Sequence, residues 1–387
     1  MENFVFQNPT KIIFGEGTHL KVGEEVKRYG DRILLHYGGG SIKQSGLYDQ
    51  VVKALHTAGV DLIELGGVKP NPRLSLINEG IELCRKHNIR FILAVGGGSV
   101  IDSAKGIAVG VPYTGDVWDF YLQKEEIKKA LPIGAVLTIP AAGSETSPAS
   151  VVTMEEGGWK RDIGTDLVRP QFAILNPELT YTLPPAQTGY GVADIMAHTM
   201  ERYFTRTKNV DLTDRLCESV LRTLIKNAPL VLQEPTNYAA RAEIMWAGTV
   251  AHNDLLGTGR IGDWGSHMIE HEISGIYDVP HGAGLAVVIP AWMKYVYHED
   301  VSVFAQFAVR VWDVEPDFES PEKTALAGIE RLKVFFCSLG LPVTLRELQV
   351  GEDRLEEMAE KCTQRGPVGN FKRLNKQDVL EIYKLAR

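Results

Sequence analysis

Short apolar runs that end in glycine alternate with amphipathic stretches through the first half of the chain. The runs that predict strands are 32–40, 60–67, 91–99 and 133–142. Apolar side chains at helical spacing lie between them, at 47–59, 74–88 and 100–110. This alternation predicts a parallel sheet with helices on both faces, because parallel strands need crossover connections.

The pattern changes near residue 183, where the stretch TLPPAQTGYGVAD combines a Pro-Pro pair with two glycines. Such a stretch is typical of a domain boundary. The patterns after it are mainly helical, at 188–206, 211–232, 236–256, 265–274, 282–297, 301–312, 321–339 and 374–386. We therefore predict an α/β domain over 1–183 and an all-helical domain over 184–387.

Charge and cysteine content narrow the class of protein. A net charge of −8 disfavours nucleic acid as the main partner, since phosphate binding requires a basic face. The four cysteines are far apart and form no CxxC pair, which fits a reducing cytoplasm better than a disulfide or structural zinc framework. The N-terminus has no signal-peptide pattern, and no apolar run is long enough for a membrane helix.

Two predicted strands end in the same tetrapeptide, GGGS, at 38–41 and 96–99. Glycines between a strand and a helix let the backbone approach a phosphate, and the helix N-terminus supplies unpaired N–H groups. The second copy is the better pyrophosphate candidate, with Asp102 one turn into the helix. Neither copy is GxGxxG, so the ordinary Rossmann fingerprint is absent, and glycines that only make tight turns are the alternative.

A third polar loop, LTIPAAGSETSPAS at 137–150, follows another predicted strand. It should reach the same edge of the sheet, where Thr138 and Ser147 offer hydroxyl groups. A solvated Ser/Thr loop is the alternative.

Metal-ligating residue types concentrate in the second half. Asp194 and His198 are four residues apart, so on a helix both side chains lie on one face and can reach one cation. His267 and His271 have the same spacing, and His281 follows after a break. One aspartate and three histidines suit Zn²⁺ or Fe²⁺. Spacing leaves open whether His267 or His271 is the ligand, and hydrogen-bonded core histidines are the alternative.

Together these motifs resemble the iron-containing (group III) alcohol dehydrogenases, in particular the butanol dehydrogenase branch with its NADPH-dependent aldehyde reductases. The resemblance spans essentially the whole chain, from NPTKIIFGEG through both GGGS turns and GSETS to GVADIMAHTMERYF and HMIEHEISGIYDVPHGAGLA. It implies a dehydroquinate synthase-like fold with a dinucleotide-binding α/β domain, a helical domain and a cleft between them. It also implies a homodimer or larger homo-oligomer.

The resemblance assigns roles to individual residues. The implied metal ligands are Asp194, His198, His267 and His281, and His271 matches a further active-site histidine that is not a ligand. The residues implied to lie near the nucleotide are Gly97, Gly98, Ser99, Asp102, Thr138, Ser147 and Lys160.

The first glycine turn bears on the choice of nucleotide. Many NAD-preferring relatives carry an aspartate here, whereas this chain has Gly38, Gly39, Ser41 and Lys43. A missing acid beside a hydroxyl and an ammonium group favours NADP(H), and NAD(H) stays open.

The predicted reaction is hydride transfer between NAD(P)H and a short-chain aldehyde or primary alcohol. A divalent metal would act as Lewis acid, and His271 would help to relay the proton. The alternatives are a sugar-phosphate cyclase-type lyase that uses NAD transiently, a glycerol dehydrogenase-like polyol oxidoreductase and a metal-dependent hydrolase. The lyase would need more Lys and Arg for an acidic substrate than 188–300 provides. The hydrolase would not need two GGGS turns.

Overall fold

The computed structural model describes residues 1–387. The strands are β1 (Lys11–Phe14), β2 (Arg32–Gly38), β3 (Asp61–Val68), β4 (Ile92–Gly96), β5 (Ile133–Leu137), β6 (Ala149–Met154), β7 (Trp159–Gly164) and β8 (Phe172–Leu175). The helices of the first half are α1 (Val22–Lys27), α2 (Ser41–Gln44), α3 (Leu47–Thr57), α4 (Leu74–Lys86), α5 (Gly98–Gly110) and α6 (Trp118–Tyr121). Those of the second half are α7 (Pro185–Tyr203), α8 (Asp211–Gln233), α9 (Tyr238–Ala251), α10 (Gly265–Tyr277), α11 (His281–Val296), α12 (Val301–Trp312), α13 (Pro321–Ser338), α14 (Leu355–Cys362) and α15 (Lys376–Leu385).

Six strands form one parallel sheet in the order β1-β8-β5-β4-β2-β3, which confirms the predicted parallel sheet. The three strands β5, β4 and β2 are neighbours, so the turns that follow them share one edge of the sheet. β6 and β7 form a separate antiparallel pair that the alternation of strands and helices did not predict.

Both faces of the sheet are covered. In β4, Ile92 and Ala94 point into one apolar cluster, and Leu93 and Val95 point into the other. Successive side chains of a strand face opposite sides, so a strand covered on both faces is a continuous apolar run. The first cluster includes side chains from α4, α5 and α6, and the second includes side chains from α1 and α3.

The chain divides into two compact units. One comprises 7–183 with 235–245, and the other comprises 1–6, 184–234 and 246–387. The second unit contains no strand, which confirms the predicted helical region.

Close packing of α7 against α11 shapes the helical unit. A Cβ at Gly282 would lie 2.0 Å from the backbone oxygen of Tyr190, so only glycine permits this approach. No helix of the structure combines the length and the apolar character that crossing a membrane requires.

Candidate active site

Helix α7 presents the first two predicted metal ligands. Asp194 and His198 are both buried on this helix, one turn apart. His198 Nδ1 lies 2.9 Å from the backbone oxygen of Asp194 and 3.0 Å from its carboxylate Oδ1. With Nδ1 turned toward the backbone of its own helix, Nε2 is the His198 nitrogen that can reach a metal.

Helices α10 and α11 contribute the other two. His267 lies on α10, and His281 is the first residue of α11. One ligand atom from each of Asp194, His267 and His281 lies within 4.8 Å of the others. The His198 ring centroid is 4.5 Å from that of His267, and the His281 centroid is 5.4 Å from it. The structure therefore brings all four predicted ligands into one cluster.

Two glutamates that the sequence patterns did not indicate hold two of the three histidines of this cluster. Glu201 Oε1 accepts a hydrogen bond from His267 Nδ1 at 2.7 Å. Glu270 Oε2 is hydrogen-bonded to His281 Nδ1. In both rings the hydrogen bond to Nδ1 leaves Nε2 as the potential ligand, an arrangement common around metal-bound histidines.

The donor set fits a divalent cation. His267 Nε2 is a buried atom with no hydrogen-bond partner, although buried polar atoms are normally paired. Asp194 Oδ1 is also buried, and it lies 3.0 Å from His198 Nδ1 and 3.9 Å from His281 Nε2. Burial opposes ionisation of Asp194, but His198, His281 and His267 hold the pKa of its carboxyl well below the usual value. Burial, together with His198 and His281, lowers the pKa of His267. An ionised carboxylate and a neutral imidazole are the forms that bind metals.

His271 lies beside this cluster. Its ring centroid is 5.7 Å from that of His281, and ligand atoms of Glu270, His271 and His281 also lie within 4.8 Å of one another. The Glu270 carboxylate is already bonded to His281, so an ion held by this second group would have to displace that bond.

The predicted nucleotide residues occupy the carboxyl edge of the sheet. Gly38 is the last residue of β2 and the first glycine turn follows it, while Gly97 lies between the end of β4 and the start of α5. Thr138 follows β5, and its N–H donates to the Gly96 oxygen at 3.0 Å. These turns come from adjacent strands, and ligands of open parallel sheets bind at this edge.

Asp102 is tied to the serine-rich loop. Its carboxylate accepts hydrogen bonds from Ser144 Oγ at 2.5 Å and from the Val151 N–H at 3.0 Å. Burial raises the pKa of this carboxyl, while the charge of Lys105 lowers it. Asp102 therefore fixes the loop against α5.

Lys105 is a buried cation that the sequence analysis missed. Its ammonium donates to the backbone oxygens of Ser144, Ser147 and Ala149 at 2.7, 2.9 and 2.7 Å. It also contacts the hydroxyls of Ser144 and Ser147, so Ser147 supports this clamp. The signal was its position three residues after Asp102, on the same face of α5. The predicted Lys160, on β7, is also buried and donates to Asn71 Oδ1 at 3.0 Å.

An α/β unit with phosphate-type turns and a helical unit with a carboxylate–histidine cluster define a class, the metal-dependent oxidoreductases that use a dinucleotide. Two family models agree: iron-containing alcohol dehydrogenase matches residues 9–177, and the C-terminal model of the Fe-containing alcohol dehydrogenase family matches residues 188–387. The chain belongs to the iron-containing alcohol dehydrogenase family, which confirms the predicted family and enzyme class.

Relatives are similar over their full length. A probable NADH-dependent butanol dehydrogenase 1 of Bacillus subtilis (strain 168) is 48% identical over 100% of both chains. The NADPH-dependent aldehyde reductase YqhD of Escherichia coli (strain K12) is 37% identical over 95% of this chain and 94% of its own. The crystal structure of an NADH-dependent butanol dehydrogenase A from Thermotoga maritima has a TM-score of 0.96 at 41% identity, covering 100% of this chain and 99% of that one.

Proposed function

We propose that the protein interconverts short-chain aldehydes and primary alcohols by hydride transfer with NAD(P)H, at a site that holds Fe²⁺ or Zn²⁺. The observation that carries the proposal is the buried cluster in which His267 Nε2 has no hydrogen-bond partner and Asp194 Oδ1 faces nitrogens of His198 and His281. Asp194, His198, His267 and His281 would hold the ion. The bound ion supplies Lewis acidity toward the substrate oxygen.

The side chains around the ligands have separate tasks. Glu201 and Glu270 fix the rings of His267 and His281 through Nδ1. His271 relays the proton that the substrate oxygen gains on reduction, because an imidazole can both accept and donate a proton and the His271 ring lies close to that of His281.

The glycine turns hold the nucleotide. We infer that Gly97, Gly98 and Ser99 contact the pyrophosphate, while Asp102, Ser147 and Lys105 stiffen the adjacent loop. Thr138 and Lys160 complete the proposed pocket. The turn at the adenosine ribose is formed by Gly38, Gly39, Ser41 and Lys43. It has room for a 2′-phosphate, because no atom lies within 4 Å of the position that a Cβ at Gly39 would take. The relatives named above include NADH- and NADPH-dependent enzymes, and we propose that NADP(H) is preferred.

The test begins with chelation and refilling with Fe²⁺ or Zn²⁺. Aldehydes of increasing chain length are then assayed at 340 nm with NADH and with NADPH. Asp194→Asn should lose bound metal and activity together. His298→Asn is the matched control, since it removes an exposed histidine outside the cluster. A fully active chelated protein would contradict the proposal.

Assembly and location are part of the proposal. None of the four cysteines forms a disulfide bond, which supports a reducing cytoplasm. A homodimer or larger homo-oligomer is proposed, and light scattering coupled to size exclusion tests it.

A further inference from the structure

Four side chains form a polar–aromatic cluster beside the carboxyl end of β2. Glu64, on β3, accepts hydrogen bonds from the hydroxyls of Tyr37 at 2.8 Å and Tyr48 at 2.6 Å. The Lys43 ammonium lies over both rings, 5.1 Å from the centroid of Tyr37 and 4.6 Å from that of Tyr48. We call these four residues the Lys43 cluster.

The backbone of the strands builds this cluster. The pairing of β2 with β3 shifts register between His36 and Gly38. The ring of Tyr37 lies against Gly66, where a Cβ would come within 2.5 Å of it. Tyr37 is therefore locked beside the turn, and its ring and hydroxyl link Lys43 to Glu64.

The cluster adds an acid to a turn whose own sequence has none. Residues 38–43 contain no carboxylate, the usual reader of the ribose 2′-hydroxyl in dinucleotide-binding sheets. Glu64 supplies one from the neighbouring strand. A hydrogen bond donated to Tyr37 and attraction to Glu64 raise the pKa of Lys43, while the hydrogen bond donated by Tyr48 lowers the pKa of Glu64. Both groups are therefore charged at neutral pH.

We propose that Glu64 is a specificity residue that weakens binding of the 2′-phosphate of NADP(H) by offsetting the charge of Lys43. This inference rests on the proposed function, in which the turn at 38–43 holds the adenosine ribose. A phosphate monoester carries about −1.5 to −2 charges at neutral pH, so Lys43 attracts it and Glu64 repels it. The 2′-hydroxyl of NAD(H) is neutral and is affected much less by either charge.

Two variants probe the opposing charges. Glu64→Gln keeps the shape of the side chain and should raise the preference for a 2′-phosphate about 3- to 10-fold, the range for one exposed charge acting on a multiply charged group. Lys43→Met should lower it. Both shifts should shrink in 0.5 M salt, because the Debye length falls below about 5 Å.

The assay is calorimetric binding of adenosine 2′,5′-bisphosphate and of 5′-AMP, followed by NADP⁺ and NAD⁺. The mononucleotides report on the ribose site alone, without the metal. Glu79→Gln is the matched control, since it removes one negative charge from an exposed glutamate on α4 of the same unit. Glu64→Asp, which keeps the charge, should stay near wild type.

The outcomes distinguish a failure of the proposed function from a failure of the role assigned to Glu64. If no nucleotide binds the wild-type protein, the proposed function is wrong. If nucleotides bind and the ratio of the two dissociation constants is unchanged in Glu64→Gln, or changes equally in Glu79→Gln, the assignment of Glu64 is overturned. The assignment of Glu64 is supported if the preference for the 2′-phosphorylated nucleotide rises only in Glu64→Gln and the rise is suppressed by salt.

Discussion

Replacing Glu201 by glutamine should weaken metal binding far more than it weakens the fold. Glu201 Oε1 accepts from Ser266 Oγ at 2.6 Å, from His267 N at 3.1 Å and from His267 Nδ1 at 2.7 Å. Oε2 accepts from the Trp264 N–H at 2.5 Å. One carboxylate therefore both caps the start of α10 and orients His267.

The amide that Glu201→Gln introduces can satisfy only part of this set. The amide oxygen can replace Oε1 and accept from the same three donors. The amide NH₂ group then lies where Oε2 was, and it cannot accept the hydrogen bond of the Trp264 N–H. A lost hydrogen bond to a charged acceptor costs about 1.5–3 kcal/mol. Loss of an outer carboxylate typically weakens metal binding about 10- to 100-fold, or about 1.4–2.8 kcal/mol.

In the metal-free protein, the hydrogen bond lost in Glu201→Gln is offset by a weaker repulsion between two buried carboxylates. Burial, together with the charge of Glu201, raises the pKa of Asp263 to about 7. A neutral glutamine relieves this repulsion between two carboxylates, so the Tm of the metal-free variant should stay close to wild type. The expected signature is a metal Kd that rises about 10- to 100-fold with little change in apoprotein stability.

The assay is titration of chelated protein with Zn²⁺ against a chromophoric chelator, with metal content measured by mass spectrometry. Co²⁺ spectra report whether the ligand geometry changes. Glu218→Gln is the control, because Glu218 is buried and accepts from Tyr203 at 3.0 Å without contacting a histidine. A Glu201→Gln Kd within threefold of wild type, or an equal loss in Glu218→Gln, would refute the reasoning.

Three further predictions concern other buried groups. Burial lowers the pKa of His36 to about 4, so protonation favours the unfolded chain: stability present above pH 6.5 should fall by about 3 kcal/mol as the pH drops to 4. Urea unfolding should show this slope, and His36→Gln should flatten it. Lys105→Met should lower the free energy of unfolding by about 3–5 kcal/mol, because it leaves three buried carbonyl oxygens without their donor and removes the charge that favours ionised Asp102. The exposed Lys53→Met should lower it by less than about 0.5 kcal/mol in the same urea assay. His271→Ala should reduce kcat at least about tenfold with metal content unchanged, and loss of metal would instead make His271 a ligand.

Local periodicity predicted the centre of the sheet better than its margins. The buried runs of β2, β4 and β5 are apolar enough to be recognised. β1 and β8 have only four residues each, which is too short for a period to be distinguished from chance. The β6–β7 pair was missed because the alternation of strands and helices describes only parallel crossovers.

In the metal cluster, too, the sequence indicates what depends on local spacing and not what depends on the packing of distant helices. The predicted pairing of Asp194 with His198 depends on helix geometry over four residues, which a sequence window contains. Glu201 reaches its histidine across 66 residues, and Glu270 reaches His281 across 11 and a turn. Their roles depend on how α7, α10 and α11 pack, so a carboxylate near a predicted ligand could not be told from an ordinary helical glutamate.

Nucleotide preference depends on more than the residues of one turn. The absence of an acid at 38–43 led to the prediction of NADP(H), on the assumption that the reader of the ribose lies on the same strand. In a parallel sheet the neighbouring strand ends at the same edge, and register places Glu64 opposite Leu35, three residues before the turn. Its carboxylate reaches the turn through the hydroxyls of Tyr37 and Tyr48. The charge that a 2′-phosphate meets is therefore set by the pair of strands, and substitutions on β3 should change cofactor choice without altering the glycine turn.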